Sequence, residues 1–401
     1  MIFMQNKAKI IIPLVVLLIV IVVIAITITR SIYVQWEPVA IQNSNNFVKL
    51  KVYIENSGSM DGYMRQKSEF KDAVKSYVNA LDLQVDTTEL YYINTQISSF
   101  KADIANLEEA LNPASFAKCA GSRSNSDIAD MLSKIVMQTG NNSVSMFISD
   151  CILDVPQGDA VNFFGVKQTN VTRAFTKALR KHPKLGVEII RLSSSYQGMY
   201  YYAKGCEPID SKRPYYIWMI GNKELLGKLN KEVALTTIQH GYDNYVAFSS
   251  TTNVPFDIAT SLKKHLIKGN LNAEGQYVFE FMVDMSETLQ EEATLMSSRN
   301  YISRTGRNVS VSGVEKVKQG SGYTHILTLA ISKNTKPCSE TISFAPPTMP
   351  SWVDEVNDDS GSNIRKNMNK TTGIKYLIKG VSDAYKDNTN LATIDFRIKN
   401  N

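Results

Sequence analysis

The sequence of 401 residues is poor in the side chains that catalysis and zinc binding use most, with four histidines and four cysteines. The histidines lie in unrelated contexts, without a nucleophile or a second ligand at a recognisable spacing. The cysteines form no C-x-x-C pair, and no G-x-S-x-G, P-loop or H-E-x-x-H motif occurs. These absences argue against a zinc site and against the common hydrolase and nucleotide-binding classes. We therefore expect a protein that is not an enzyme.

Clustered positive charge is also lacking. The 44 basic and 38 acidic residues leave a net charge of +6 that is spread thinly along the chain. No block of Lys and Arg interleaved with aromatic residues appears, so nucleic-acid binding is not expected. The content of 43% hydrophobic and 20% charged residues is ordinary for a folded protein, and the length suggests two domains.

One long hydrophobic run stands at the N-terminus. Residues 10–29 carry no charge, and twenty such residues are long enough to cross a bilayer as a helix. Lys7 and Lys9 precede the run and Arg30 follows it, which favours a cytoplasmic N-terminus. The alternative, a cleaved signal peptide, would end in an A-x-A site, and none is present. The sequence thus predicts a single-pass membrane protein held in the lipid bilayer through residues 10–30, with its bulk extracytoplasmic, periplasmic in a Gram-negative cell.

Strand and helix patterns then alternate as far as about residue 235. Buried strands separated by amphipathic helices are typical of an α/β fold with a doubly wound, mostly parallel sheet, in which ligands gather at the carboxyl ends of the strands. After residue 240 strand patterns dominate, with one helix over 372–385, which indicates a β-rich second domain, a sandwich being one arrangement. The predicted divisions are a cytoplasmic segment 1–9, an anchor 10–30, a stalk 31–45, an α/β domain 46–235 and a β-rich domain 240–401.

Oxygen-bearing side chains follow several of these predicted elements. The stretch VYIENSGSMDGYM, residues 52–64, ends a strand with Glu55, Ser57 and Ser59, while Ser126 precedes a helix and Asp150 ends a buried strand. Two carboxylates and three hydroxyls suit Mg²⁺, which prefers oxygen ligands. We predict one divalent cation, Mg²⁺ or alternatively Mn²⁺ or Ca²⁺, held by these five residues. The alternative is a turn in which Ser57 and Ser59 only cap a helix.

The same pieces resemble a known motif. The run from Glu55 to Ser59, the pair Ser126-Asp127 and the pair Ser149-Asp150 are similar to the metal-ion-dependent adhesion site (MIDAS) of von Willebrand factor type A (vWA) domains, the bacterial membrane-anchored type in particular. The resemblance covers about residues 46–235. It implies a doubly wound fold that binds a divalent cation and a protein ligand, whose carboxylate completes the metal shell.

Two residues depart from that motif. Glu55 stands where the family has Asp, and Ser126 where it has Thr. The hydroxyl of Ser126 is retained, whereas the extra methylene of Glu55 shifts a ligand oxygen by roughly an ångström, in a shell that requires near-ideal geometry. A water bridge would absorb the extra length; direct coordination would change the metal or lower the affinity.

We therefore expect a membrane-anchored, extracytoplasmic type A protein that binds a protein ligand or a subunit of an envelope complex through its cation. The first alternative is a structural or assembly component whose site is degenerate and metal-free. The second is an enzyme whose chemistry lies in the C-terminal domain.

Smaller features leave alternatives open. Asp127 is interpreted as a first-turn carboxylate rather than a ligand, and Asp358-Asp359 as a solvated loop rather than a calcium site. The tyrosine-rich stretch 196–202 is either an exposed rim or interdomain packing. The four cysteines either form two disulfides, a pair between Cys119 and Cys151 at the rim of the site among them, or remain thiols.

Overall fold

The protein is described here by a computed structural model, and most of the chain after residue 30 is placed in it. The described residues are 31–37, 48–65, 67–100, 104–124, 127–156, 160–202, 205–258, 265–317, 322–361 and 363–400.

No helix among these residues is long and apolar enough to cross a membrane. The predictions of a membrane anchor, of a single-pass topology and of an extracytoplasmic bulk are therefore not supported. The predicted span at residues 10–30 lies outside the described residues.

Strands dominate the described chain. They are β1 (Ile32–Gln35), β2 (Lys49–Glu55), β3 (Thr87–Ile93), β4 (Ile97–Ser99), β5 (Ser143–Ser149), β6 (Leu185–Tyr202), β7 (Gly205–Asn222), β8 (Asn244–Phe248), β9 (Thr252–Asn253), β10 (Phe256–Ile258), β11 (Leu266–Lys268), β12 (Asn270–Leu271), β13 (Gln276–Val283), β14 (Tyr301–Ser303), β15 (Val309–Lys316), β16 (His325–Ser332), β17 (Cys338–Phe344), β18 (Asn357–Asp358), β19 (Thr371–Thr372) and β20 (Ala392–Asn400).

Helices connect these strands. They are α1 (Glu69–Asp82), α2 (Leu107–Ala110), α3 (Pro113–Phe116), α4 (Ile128–Gln138), α5 (Ala160–Lys181), α6 (Lys223–Glu232), α7 (Glu292–Leu295), α8 (Trp352–Glu355) and α9 (Ile374–Ala384). A 3₁₀ turn, Ser59–Tyr63, follows β2, and another, Ser286–Thr288, follows β13.

The largest sheet has seven strands in the order β4-β3-β2-β5-β7-β6-β8. Only β2 is parallel to its two neighbours, β3 and β5, while the other pairs are antiparallel. The predicted doubly wound, mostly parallel sheet is therefore wrong: the molecule is a mixed α/β fold with mostly antiparallel sheets. The cause lies in β6 and β7, which pair along their whole length from Leu185 with Asn222 to Tyr202 with Gly205. A connection this short joins only antiparallel strands.

Helices cover both faces of this sheet. The amphipathic helices α1 and α6 bury Phe70 and Leu226 on one face. On the other face α4, α5 and α9 share a second core that includes Phe175 and Leu377. Helix α9 approaches α5 so closely that a Cβ on Gly380 would lie 2.8 Å from the carbonyl oxygen of Gln168. The one helix predicted for the second domain therefore packs on the α/β unit, which corrects that part of the fold prediction.

The remaining strands form two sheets around a third core. One has β11-β1-β20-β17-β14 with β9 beside β20, and the other has β10-β13-β16-β15 with β12 beside β13. Phe281 of β13 meets Phe396 of β20 with ring centroids 5.1 Å apart, so the sheets face each other. Strand β13 alternates as a half-buried strand does, with Tyr277, Phe279, Phe281 and Val283 buried. Strand β1 lies within the predicted stalk and pairs with β20.

Candidate functional site

The parallel strands β2 and β5 bring two acidic residues to one edge of the seven-stranded sheet. The strands pair as far as Ile54 with Ile148, so Glu55 and Asp150 follow at the same carboxyl edge. Each is only 1% exposed. The hydroxyl of Ser149 donates a hydrogen bond to Oε2 of Glu55. The predicted convergence of these two loops is therefore present, while Ser126 lies outside the described residues.

The serines of the motif lie beside these carboxylates. Oγ of Ser57 is 2.9 Å from Oγ of Ser59, so one hydroxyl donates to the other. Ser59 begins the 3₁₀ turn, is partly exposed, and lies close enough to Asp150 for its hydroxyl to lower the pKa of that carboxyl. The structure thus places Ser57, Ser59 and Asp150 in one polar group.

Asp150 is the member of the group whose ionised form is the most costly to bury. Oδ1 accepts a hydrogen bond of 3.2 Å from the N–H of Ile152, whereas Oδ2 is buried and has no hydrogen-bond partner among the described residues. Burial raises the pKa of Asp150 above its ordinary value, although Ser59, the Ile152 N–H and the positive charge of Arg213 act against this. A buried carboxylate with an unsatisfied oxygen attracts a proton or a cation.

Arg123 organises the motif loop, although no motif or periodic pattern marks it. Its Nε donates to Oδ1 of Asn56 at 2.9 Å, and its Nη2 donates to the carbonyl of Ser57 at 3.2 Å and forms an ion pair with Asp61. The N–H of Gly58 donates in return to the carbonyl of Arg123, at 3.1 Å. One guanidinium thus fixes the path of the chain from Asn56 to Asp61.

A second arginine lies behind the site. Arg213 of β7 is 2% exposed, and its guanidinium stacks over the ring of Tyr200 at 5.0 Å. Nη1 donates to the carbonyl of Met368 at 2.8 Å, while Nη2 has no partner among the described residues. Arg213 therefore places a fixed positive charge near Asp150 and ties the sheet to the loop that leads into β19.

A cleft of about 500 Å³ opens beside the motif loop. Gly58 and Asp61 line one side, and the β6–β7 hairpin contributes Met199 and Tyr201, which are 36% and 50% exposed. The hairpin packs so tightly on the 3₁₀ turn that a Cβ on Gly62 would lie 2.3 Å from the ring of Tyr196. In the tyrosine-rich stretch, Tyr201 is exposed, while Tyr196 is buried on the 3₁₀ turn of the same unit and the hydroxyl of Tyr200 lies 3.1 Å from Oγ1 of Thr372.

The other singled-out residues are structural. Asp127 is the N-cap residue of α4, one position before the predicted first turn; it accepts from the N–H of Asp130 and pairs with Lys167 at 2.6 Å. Asp358 is 6% exposed and closes a turn by accepting the N–H of Gly361 at 3.1 Å, so its interpretation as a solvated residue is wrong. All four cysteines are free thiols, without the suggested pair between Cys119 and Cys151.

The described chain contains no group of three or more His, Cys, Asp or Glu side chains that could hold a metal ion. The site contributes two carboxylates, and one of them, Glu55, is engaged by Ser149. The description as a metal-binding, MIDAS-type protein is therefore corrected: what the structure has at this edge is a buried pair of carboxylates surrounded by serine hydroxyls.

Comparison with known proteins adds no family. No family model matches the chain, and no curated protein matches it. The resemblance to type A domains stays a prediction from the sequence.

Proposed function

We propose that the chain is a binding protein rather than an enzyme, and that it receives a protein partner at the carboxyl edge of the seven-stranded sheet. The observation that carries this proposal is Asp150, a buried carboxylate whose Oδ2 has no hydrogen-bond partner among the described residues. Because an ionised carboxylate in this position is costly, a ligand that brings positive charge to the edge gains affinity from it.

The route from the surface to Asp150 passes through the motif loop. Ser59 is partly exposed and interacts with Asp150, and its neighbour Gly58 lines the cleft. A partner side chain placed in the cleft therefore contacts the motif loop at Gly58, next to the Ser59 hydroxyl that interacts with the buried charge.

The chemistry of the cleft supports a protein partner. Tyr201 and Met199 present apolar surface, and Arg65 and Asp210 supply polar groups around it. Exposed aromatic and methionine side chains with a polar rim are typical of protein interfaces. The loop beneath is held by Arg123, so this face is ordered before a partner arrives.

Site-specific photocrosslinking in the native host tests the proposal. A photoreactive residue at Tyr201 is expected to give a defined protein adduct, and one at Leu83 is expected to give none. Leu83 is 81% exposed and follows α1 at the opposite, amino edge of the sheet, which makes it a matched exposed apolar control. In the Tyr201 background, Asp150→Asn should lower the adduct yield severalfold. Equal adducts from both positions, or none from Tyr201, would refute a partner site at this edge.

The sequence-based prediction of a bound Mg²⁺ is tested separately, by titration calorimetry with Mg²⁺ and Mn²⁺ on the wild type and on Asp150→Ala. Heat of binding in the wild type alone would show that an ion supplies the positive charge. Equal heats in both proteins, or no heat in either, would contradict the metal prediction. The positive charge near Asp150 would then have to come from the protein partner.

A further inference from the structure

A further buried carboxylate lies away from the motif, on β6, the strand next to the edge strand β8 of the same sheet. Glu188 of β6 is 2% exposed. Its Oε1 is 2.6 Å from Nδ2 of Asn230 on α6 and 2.6 Å from the hydroxyl of Tyr245 on β8. No lysine, arginine or histidine forms an ion pair with Glu188 among the described residues. This carboxyl is therefore surrounded by neutral donors only.

The Tyr245 hydroxyl has two acceptor groups as neighbours. It lies 2.6 Å from Oε1 of Glu188 and 2.7 Å from the backbone carbonyl of Leu289. A phenol hydroxyl carries one proton, and a carbonyl can only accept. Both short contacts are hydrogen bonds at once only when Glu188 is protonated and donates to Tyr245, which then donates to Leu289.

Leu289 belongs to the segment that joins β13 to α7, residues 285–291, which we name the crossing segment. Leu289 has a left-handed backbone with φ of 58°, unusual for a leucine, so its neighbours must hold it there. Its side chain fills the space over Gly186, where an added Cβ would lie 2.6 Å from Cδ1 of Leu289. The segment is thus packed on the α/β unit at the point where the chain leaves the β-rich part.

We propose that Glu188 is a proton-controlled latch. When Glu188 is protonated, it holds the crossing segment to the sheet through Tyr245. When Glu188 is ionised, it accepts the hydrogen bond of the Tyr245 hydroxyl, and the carbonyl of Leu289 loses that donor. On opening, the carboxyl proton of Glu188 passes to solvent, the bonds from Glu188 to Tyr245 and from Tyr245 to Leu289 break, and one bond from Tyr245 to the carboxylate forms, a net loss of one hydrogen bond. An ionised carboxylate is the stronger acceptor, so Tyr245 follows its charge.

The groups packed around Glu188 fix the direction of the pH response. Burial raises the pKa of Glu188 to about 7, while the hydrogen bonds from Tyr245 and Asn230 act in the opposite sense. The latch is therefore closed below pH 7 and opens above it. The titratable groups that interact electrostatically with Glu188 or Tyr245 are Tyr77 of α1 and Glu291 of the crossing segment. Lys231, the cation next to Asn230 on α6, is paired with Asp284 instead.

Hydrogen exchange followed by mass spectrometry tests the latch. Protection of residues 286–291 in the full chain is measured at pH 6 and pH 8.5, with rates corrected for intrinsic exchange and β13 as the internal reference. Loss of one hydrogen bond is expected to lower the protection of this segment about tenfold at the higher pH. No change in the wild type, or an equal change in β13, would overturn the proposal.

Two variants distinguish the opening of the latch from a general loss of protein stability at high pH. Glu188→Gln keeps a donor toward Tyr245 at every pH, so the protection should stay high at both values. Tyr245→Phe keeps the ring and removes the hydroxyl, so the protection should be low at both. A pH response in Glu188→Gln equal to that of the wild type would refute the role of Glu188. If that variant does not fold, the wild type and Tyr245→Phe still decide the question, because a Tyr245→Phe protein with the wild-type response contradicts it.

Discussion

Two carboxylates, one in each half of the molecule, are equally buried but differ in the hydrogen bonds that they accept. Glu340 in the β-rich half and Asp150 in the α/β half are each 1% exposed. Glu340 accepts the backbone N–H groups of Arg304 and Thr341 at 2.9 Å, and the hydroxyl of Ser303 donates to it as well. Asp150 has an oxygen without a partner among the described residues. Burial alone therefore does not distinguish the two acids, whereas the oxygen of Asp150 that lacks a hydrogen bond does.

The largest loss of stability is expected from removing Glu340, the carboxylate that accepts the most hydrogen bonds of the two. Glu340→Ala should lower the free energy of unfolding by about 4 kcal/mol, because several buried donors lose their acceptor at once. Chemical denaturation measures the change. Glu280→Ala on β13, whose side chain is exposed, is the control and should stay within about 0.5 kcal/mol of the wild type. A small effect at Glu340 would show that buried hydrogen bonds do not distinguish the two acids.

The second effect is a dependence on pH that comes from Glu188. Its pKa is raised to about 7 in the folded protein, so the folded state binds the proton more tightly than the unfolded chain does. The stabilisation is complete below the ordinary glutamate pKa and is lost as the pH rises toward 7, with a total of about 3 kcal/mol. Denaturation midpoints between pH 4.5 and pH 8 measure it. Glu188→Gln should flatten this part of the profile, and an unchanged slope would contradict the assignment.

The third effect concerns the packing of the candidate site. Gly62→Ala places a Cβ against the ring of Tyr196 and should cost about 2 kcal/mol, because the ring is buried and cannot move away. It should also weaken crosslinking through Tyr201, since the hairpin shifts. Gly165→Ala in α5 is the control, where nothing lies within 4 Å of the new Cβ. Equal stability of the two variants would mean that the hairpin does not press on the 3₁₀ turn.

The smallest effect has the opposite sign. Asp150→Asn removes a buried charge and should stabilise the protein by about 1 kcal/mol at pH 7. The raised pKa of Asp150 sets the pH dependence: the gain should disappear at low pH, where the wild-type carboxyl is itself protonated. Thermal unfolding at pH 7 and pH 4 checks this. A loss of stability at pH 7 would contradict this and would show that Asp150, like Glu340, stabilises the fold.

The part of the site that follows directly from strand patterns was predictable. Buried runs that end in polar residues identified β2 and β5, and parallel pairing then brings Glu55 and Asp150 to one edge. The two arginines were not predictable, since Arg123 and Arg213 contact residues far away in the chain. Arg123 lies in a polar loop and Arg213 in a strand, and neither local pattern indicates the contacts that these side chains make.

The errors in the fold have equally local causes. Strand β6 continues through the tyrosine-rich stretch to Tyr202 and forms a long hairpin with β7. The tyrosines have no alternating pattern that predicts this extension. Helix α9 has the periodicity of any amphipathic helix, and that pattern does not say which sheet it covers. Local patterns specify elements; long-range partners decide where they pack.

The pairing of β1 with β20 bears on the order in which the molecule folds. Ile32 pairs with Asn400, so this pairing of β1 forms only after the last described strand has been synthesised, whereas its other partner, β11, is available earlier. The core strands of the α/β unit, β2, β3 and β5, lie together early in the chain and need no such delay. During synthesis the seven-stranded sheet is therefore expected to form first, since its last strand, β8, ends at Phe248, and α9 joins its core later. The six-stranded sheet closes last, because its contacts span the greatest separation in sequence.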